Sequence, residues 1–209
     1  YTGVGKCVVA ANQAGDSTYR AADQVTAAVN VGQAPQAIVN FAPSSPVSFG
    51  AALQNLSATG GASGNAIVFS IVSGSCALLG SALSYTGTGT CVVAANQAGN
   101  ANYSAAPPLT ANVANNPATQ TITAFNPLSP VVLGADPQVL SAVGGASGNP
   151  VTFSLVSGPC GLLGNVLSHL GGGLCVVAAN QAGNANYAAA SPLIANVRVI
   201  ASLNIDLSP

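Results

Sequence analysis

The chain has 209 residues, of which only 3% are charged: three basic residues, four aspartates and no glutamate, for a formal net charge of −1. An ordinary domain carries about 25% charged residues. A phosphate-neutralising Lys/Arg patch is therefore excluded, and with it nucleic-acid binding and a polybasic membrane footprint. So few charges also weaken repulsion between copies and favour self-association.

Hydrophobic residues make up 49% of the chain, yet no apolar run reaches 18 residues, so no transmembrane helix is expected. The nearest stretch, residues 188–203, is interrupted by Pro192, Asn196 and Arg198. The chain opens on Tyr1 in the middle of a repeat and shows no signal peptide, which reads as a processed or partial piece of something longer.

The repeat governs everything else. The string CVVAANQAG occurs at Cys7, Cys91 and Cys175, and the last two copies continue identically to Tyr103 and Tyr187. The spacing is 84 residues both times. In that register Tyr1, Tyr85 and His169 correspond, as do Gln36 and Gln120, Phe41 and Phe125, Phe69 and Phe153, and Cys76 and Cys160. Residues 1–33 match the C-terminal part of an incomplete unit. Residues 34–117 and 118–201 are complete units, and residues 202–209 form a tail or the start of a further segment. Units of this size can bury small cores of their own.

Strand signals recur at fixed places. Val25, Ala27, Val29 and Val31 alternate with other residues near the start. In the first complete unit Ile67, Phe69 and Ile71 alternate with Val68 and Ser70. Val151, Phe153 and Leu155 repeat that pattern, and Leu109, Ala111, Val113 and Leu193, Ala195, Val197, Val199 repeat the first. A period of two marks a half-buried strand. Gly60-Gly61 with Ser63-Gly64-Asn65, and Gly144-Gly145 with Ser147-Gly148-Asn149, read as reversals in which glycine supplies a positive φ. Short Ala runs such as Ala94-Ala95 favour helix by propensity, but Val-Val before them and an Ala-Gly-Asn turn after them argue for strand. Six to eight short strands per unit predict an all-β fold: tandem β-sandwiches arranged head to tail. Joints over residues 31–36 and 113–120 are short and carry Pro35 and Pro117, which limits bending.

Five cysteines remain to be placed. Cys76 with Cys91, and Cys160 with Cys175, are 15 residues apart, and Cys7 is the second member of a pair whose first would lie upstream. A metal site is disfavoured by a single histidine and the absence of CxxC. The expectation is two structural disulfides, each contributing about 3 kcal/mol, and hence an oxidising, extracellular location. On a shared face with Val93 and Ala95, the Cys91 sulfur points into the core.

The run Val93-Ala-Ala-Asn-Gln-Ala98 followed by Gly99-Asn100-Ala101-Asn102-Tyr103 resembles the G-[DN]-x-N-Y signature that closes many bacterial immunoglobulin-like repeats. Leu56 to Asn65, Leu140 to Asn149 and Pro150 to Pro159 resemble the first half of the same repeats. The resemblance covers all but the last eight residues. It implies an Ig-like sandwich from a large secreted or surface-anchored bacterial protein, where such units act as stalks and spacers. Gly99, Asn100 and Tyr103, and Gly183, Asn184 and Tyr187, are then turn and cover residues, the tyrosine hydroxyl bonding to backbone. The paired cysteines depart from the usual pattern, in which Gly, Ala or Thr occupies those positions.

No catalytic inventory emerges. The aspartates are scattered, His169 stands alone at a position where the neighbouring unit has Tyr85, and a triad lacks its histidine elsewhere. Asp16 and Asp23 could suggest calcium, but their equivalents are Asn100 and Pro107, and proline offers no side-chain oxygen. Tyr19, Tyr103 and Tyr187 read as ring covers before they read as a sugar-stacking platform. Asn55-Leu56-Ser57 and Asn102-Tyr103-Ser104 match the glycosylation pattern, which arises often by chance. No enzyme activity, cofactor or metal is expected. The sequence reading is a structural extracellular protein: a disulfide-stiffened stalk or filament at the bacterial surface, self-assembling, with neighbouring repeats and other copies of itself as partners. The alternative is an adhesin module binding a glycan or surface receptor through its loops. Residues 1–33 raise a sharper version, in which a half-sandwich is completed by strand addition.

Overall fold

The computed structural model describes residues 2–201. Tyr1, and with it the Tyr1–Tyr85–His169 correspondence at its first member, lies outside the described residues, as does the expected tail at 202–209. Every regular element among the described residues is a β-strand. By compactness the chain divides into two units, Tyr1–Val47 with Ala52–Ala114, and Ser48–Ala51 with Asn115–Pro209.

The first unit begins with a two-stranded hairpin, β1 (Gly5–Ala11) against β2 (Val25–Val31). The strands pair antiparallel from Gly5↔Val31 to Ala11↔Val25. The expected alternation in β2 is present in the sequence but covers nothing: every residue of β2 except Val31 is exposed.

The first complete sandwich follows. Its strands are β3 (Val47–Ser48), β4 (Gln54–Asn55), β5 (Ile67–Ser73), β6 (Cys76–Leu79), β7 (Ala82–Tyr85), β8 (Gly89–Gln97) and β9 (Leu109–Asn116). One sheet has the order β3-β9-β8-β5 and the other β4-β7-β6. An isolated antiparallel bridge, Val39↔Thr59, adds a further segment beside β4. Consecutive strands thus leave one sheet and return to it, the pairing of an immunoglobulin-like Greek key. The sheets close over Ile38, Phe41, Leu56, Leu83, Cys91, Val93, Ala95, Ala106 and Val113. Phe41 stacks on Phe69 with ring centroids 5.6 Å apart. Full burial of a Val or Leu side chain contributes about 1.5–3 kcal/mol, so this short run of residues carries much of the sandwich.

The second sandwich repeats the plan with β10 (Val131–Val132), β11 (Gln138–Val139), β12 (Val151–Ser157), β13 (Cys160–Leu163), β14 (Val166–His169), β15 (Gly173–Gln181) and β16 (Leu193–Ile200). Its sheets are β10-β16-β15-β12 and β11-β14-β13, with β10 parallel to β16. Leu167, Val177 and Val197 are fully buried in its core, and Phe125 packs on Phe153 at 5.5 Å.

Two sequence expectations need revision. The joint expected over residues 113–120 begins inside a strand: β9 runs to Asn116, and Val113 belongs to the core. Gly60 and Gly61, expected to supply positive φ, do not; Gly64 does, at +70°. What Gly60 and Gly61 supply is space. A Cβ on Gly60 would lie 2.5 Å from the Gln97 side-chain nitrogen, and one on Gly61 2.7 Å from the Gln36 Cβ. The same holds at Gly144 and Gly145 against Gln181 and Gln120.

Candidate functional site

Two constructions distinguish each complete repeat: a staple between its sheets and a polar plug at one end. The staple is the disulfide. Cys76 lies on β6 and Cys91 on β8, strands of opposite sheets, and they are bonded with Cα atoms 6.0 Å apart. Cys160 and Cys175 are joined the same way between β13 and β15. Period-two geometry explains the direction: Cys91, Val93 and Ala95 point to one face, and all three are at most 2% exposed. Cys7, the third copy, is a free cysteine and is half-buried.

The plug is built from buried amides. Gln97 is 4% exposed. Its Oε1 accepts from the Gly61 N–H at 2.7 Å, and its Nε2 donates to the Asn65 carbonyl at 2.8 Å. Gln36 reaches in from the start of the repeat, accepting from the Ser63 N–H at 2.8 Å and donating to the Ala98 carbonyl at 3.2 Å. Asn65 Nδ2 donates to the carbonyls of Ala98 and Gly99. Asn100 returns the contact by donating to the Ser63 carbonyl at 2.9 Å. The stretches Gly60–Asn65 and Gln97–Tyr103 therefore satisfy each other's backbone. Gln181, Gln120, Asn149 and Asn184 reproduce the network. A buried polar group costs free energy unless bonded, so a network this complete fixes one arrangement of the two loops.

Inside the plug sits a local turn. Asn100 Oδ1 accepts from the N–H groups of Asn102 and Tyr103, both at 2.9 Å, and Asn100 N–H donates to the Tyr103 carbonyl. Asn184 does the same with Asn186 and Tyr187. A Cβ on Gly99 or Gly183 would collide with the carbonyl of Tyr103 or Tyr187. Gly99, Asn100, Gly183 and Asn184 are thus turn residues. Tyr103 and Tyr187 contribute their main chain: among the described residues the expected hydroxyl-to-backbone bonds are absent. Each instead forms a parallel bridge, to Ala34 and Ala118 respectively. The Tyr187 ring also meets Phe49 edge-on, at 5.7 Å.

The turn exists in residues 1–33 as well. Asp16 replaces asparagine there, and its Oδ1 accepts from Thr18 N–H at 2.7 Å and Tyr19 N–H at 2.8 Å. Those bonds, Thr18 first, hold the Asp16 carboxyl below the ordinary aspartate pKa. The carboxylate is thereby occupied in its own turn. Tyr19 is 73% exposed, with no partner ring.

The remaining chemistry is sparse. His169 occupies the place of Tyr85. The Tyr85 hydroxyl donates to Gln54 Oε1 at 2.7 Å, and its pKa is raised by burial. His169 Nε2 meets the equivalent glutamine, Gln138 Nε2, at 3.2 Å. Both are strand residues reading the same neighbour. Among the described residues no three of His, Cys, Asp or Glu converge as metal ligands. Asn55 and Asn102 are exposed. Reading the sequence found the staple and the turn but missed the buried glutamines. The available signal was Gln36 aligning with Gln120 and Gln97 with Gln181 in the 84-residue register.

No protein-family model matches the chain, and no curated protein matches. Solved structures do match at low identity. Drosophila N-cadherin EC1-3 is 11% identical over 86% of this chain and 74% of its own, with a TM-score of 0.30. The tandem Ig repeats of Dlar give 12% identity, 80% and 99% coverage, and 0.28. The S-layer protein rSbsC(31-844) gives 10% identity, 87% and 30% coverage, and 0.32. Nothing about this chain's role follows from likenesses at that level. The immunoglobulin-like sandwich is defined by its own strand pairing, and with two inter-sheet disulfides it fits an extracellular structural or adhesion module. No helix among the described residues is long and apolar enough to cross a membrane.

Proposed function

We propose that this chain is a structural repeat protein of the bacterial surface, a disulfide-stiffened stalk or filament whose units are spacers. The carrying observation is duplication of both constructions: each complete repeat has its own core, its own inter-sheet disulfide and its own amide plug. A unit whose loop amides are satisfied internally needs no ligand to hold that end together. Near-absence of charge supports close packing between copies that is insensitive to salt. The resemblance of the closing motif to bacterial Ig-like repeats supports the surface setting.

Electron microscopy of the purified protein, with a glycan array alongside, tests the reading. Periodic fibres or bundles that persist in high salt, without glycan capture, are the expected result. Isolated rods that never associate and bind a defined glycan would overturn it in favour of an adhesin.

A further inference from the structure

In each complete sandwich the strands that end the sheets differ in length. β3 and β4, like β10 and β11, are two residues long, and β6 and β13 are four. β5 and β12 are seven residues long, and each ends its four-stranded sheet with no strand paired to its outer edge among the described residues. A long free edge is a template for another strand, and proteins blunt it with charge, proline, a bulge or shortness. Residues 67–73 and 151–157 contain no charged residue and no proline, and Pro150 stands just outside the second run. What blunting there is comes from a register shift between Ile71 and Ser73, repeated between Leu155 and Ser157. It leaves residues 67–71 and 151–155 in regular pairing with β8 and β15. The sandwich is also open beside that run. A groove of 490 Å³ lies along β5, lined by Ile67, Phe69 and Leu78 among others. Its counterpart of 400 Å³ lies along β12, with Val151, Phe153 and Leu162 in its wall.

We infer that the β5 and β12 edges are the contacts through which copies of this chain assemble, each pairing antiparallel with the like edge of a second copy about a two-fold axis at Phe69 or Phe153. This deepens the self-packing of the proposed filament and rests on that reading. The occupant is a second copy because the run is self-complementary. Centred on Phe69, the segment Ile67-Val-Phe-Ser-Ile71 sets Ile67 opposite Ile71, Phe69 opposite its own copy and Val68 opposite Ser70. Centred on Phe153, Val151 meets Leu155 and Thr152 meets Ser154. The half-buried positions 67, 69 and 71 thus meet half-buried positions, and the exposed positions 68 and 70 meet exposed ones. The same holds at 151–155. A slip of one residue would set the two classes against each other, so the pleat specifies the register. Pairing joins two four-stranded sheets into one of eight strands by main-chain bonds, and the second copy covers the mouth of the groove. Val68, 63% exposed on its own, gains a cross-strand neighbour. A formal net charge of −1 leaves little repulsion to oppose the contact. Two such edges on one chain allow growth past the dimer.

The test reads sedimentation of the 209-residue chain over a range of concentrations, with amide exchange alongside. One variant carries Val68→Lys, Ser70→Lys, Thr152→Lys and Ser154→Lys; another carries Val68→Asp, Ser70→Asp, Thr152→Asp and Ser154→Asp. All four positions are exposed, and in the inferred register each faces another of them, so like charges oppose at every outward pair. The unsubstituted chain should associate, with exchange slowing within 67–71 and 151–155 as concentration rises. Each variant alone should associate at least about tenfold more weakly. An equimolar mixture of the two should recover association at low salt and lose it again as salt is added. Misfolded chains would not rescue each other, so recovery separates lost pairing from lost folding. Undiminished association of the lysine variant overturns the inference and leaves copies packing through another surface. Exchange within 67–71 and 151–155 that ignores concentration overturns it without recourse to any variant. An unsubstituted chain that stays monomeric overturns the edge contact and self-assembly together; the stalk reading then stands or falls on glycan capture, which is measured separately.

Discussion

Val9 and Val177 stand in the same string, CVVAANQAG, on strands that pair in the same antiparallel register, and one is 61% exposed while the other is fully buried. The hairpin β1–β2 and its copies β8–β9 and β15–β16 thus separate two levels of structure. Register, the Asx-type turn and the bond from Ala22 N–H to the Gln13 carbonyl all recur in the hairpin, matching Ala106 to Gln97 and Ala190 to Gln181. Those features are local and need no second sheet. Burial, the disulfide and the amide plug are missing from the hairpin, because each requires the first half of a repeat. A lone two-stranded hairpin is marginal in water, so the stability difference between the copies should be large.

The largest effect tests the staple. Replacing Cys76 and Cys91 together by alanine should lower the stability of the first sandwich by about 2–5 kcal/mol. Cys7→Ala should leave both sandwiches unmoved. Non-reducing urea denaturation followed by hydrogen exchange in each repeat reads both outcomes. Next comes the core: Val93→Ala should cost about 2 kcal/mol, against less than about 0.5 kcal/mol for the same change at the exposed Val9. Equal losses at the two sites would mean that the hairpin is covered in solution.

The plug gives a smaller contrast. Gln97→Ala should cost about 1–2 kcal/mol by leaving the Gly61 N–H and the Asn65 carbonyl without their partner, while Gln13→Ala should cost nothing measurable. Faster exchange at the Gly61 amide would locate the loss. The smallest effect is electrostatic and confined to the hairpin. The folded turn lowers the Asp16 pKa, so the carboxylate's contribution is present above the unfolded value and is lost as pH falls through the folded one. A carboxyl NMR titration of Asp16 should have its midpoint below that of an unfolded peptide. Amides 18 and 19 should lose protection over the same window, with no matching change at Asn102 and Tyr103, where the acceptor is a neutral asparagine.

Much of this was legible without coordinates because the chain repeats. Phe69 and Phe153 on alternating runs, the paired cysteines, and the Gly99-Asn100 turn are short-range patterns, each readable within a few residues. The plug was not legible. Gln36 and Gln97 are 61 positions apart, and no local rule says that a glutamine closing one strand will satisfy a glycine pair that lies three strands earlier, before β5. Gly60 and Gly61 were read correctly as a loop but for a different reason. Their role is steric, and steric need is invisible until Gln97 and Gln36 are placed beside them. The tyrosine was misjudged similarly: the bond expected from the Tyr103 hydroxyl is absent among the described residues, and its main chain bridges to Ala34 instead.

Sequence by itself determined the 84-residue unit, the alternating strand runs and the choice of cysteines, because period-two patterning, turn chemistry and fixed spacing act over short stretches of chain. Tertiary structure alone decided which identical residues are buried. Val93 and Val177 are core and Val9 is surface because burial belongs to the opposing sheet, and a strand cannot encode whether that sheet is there.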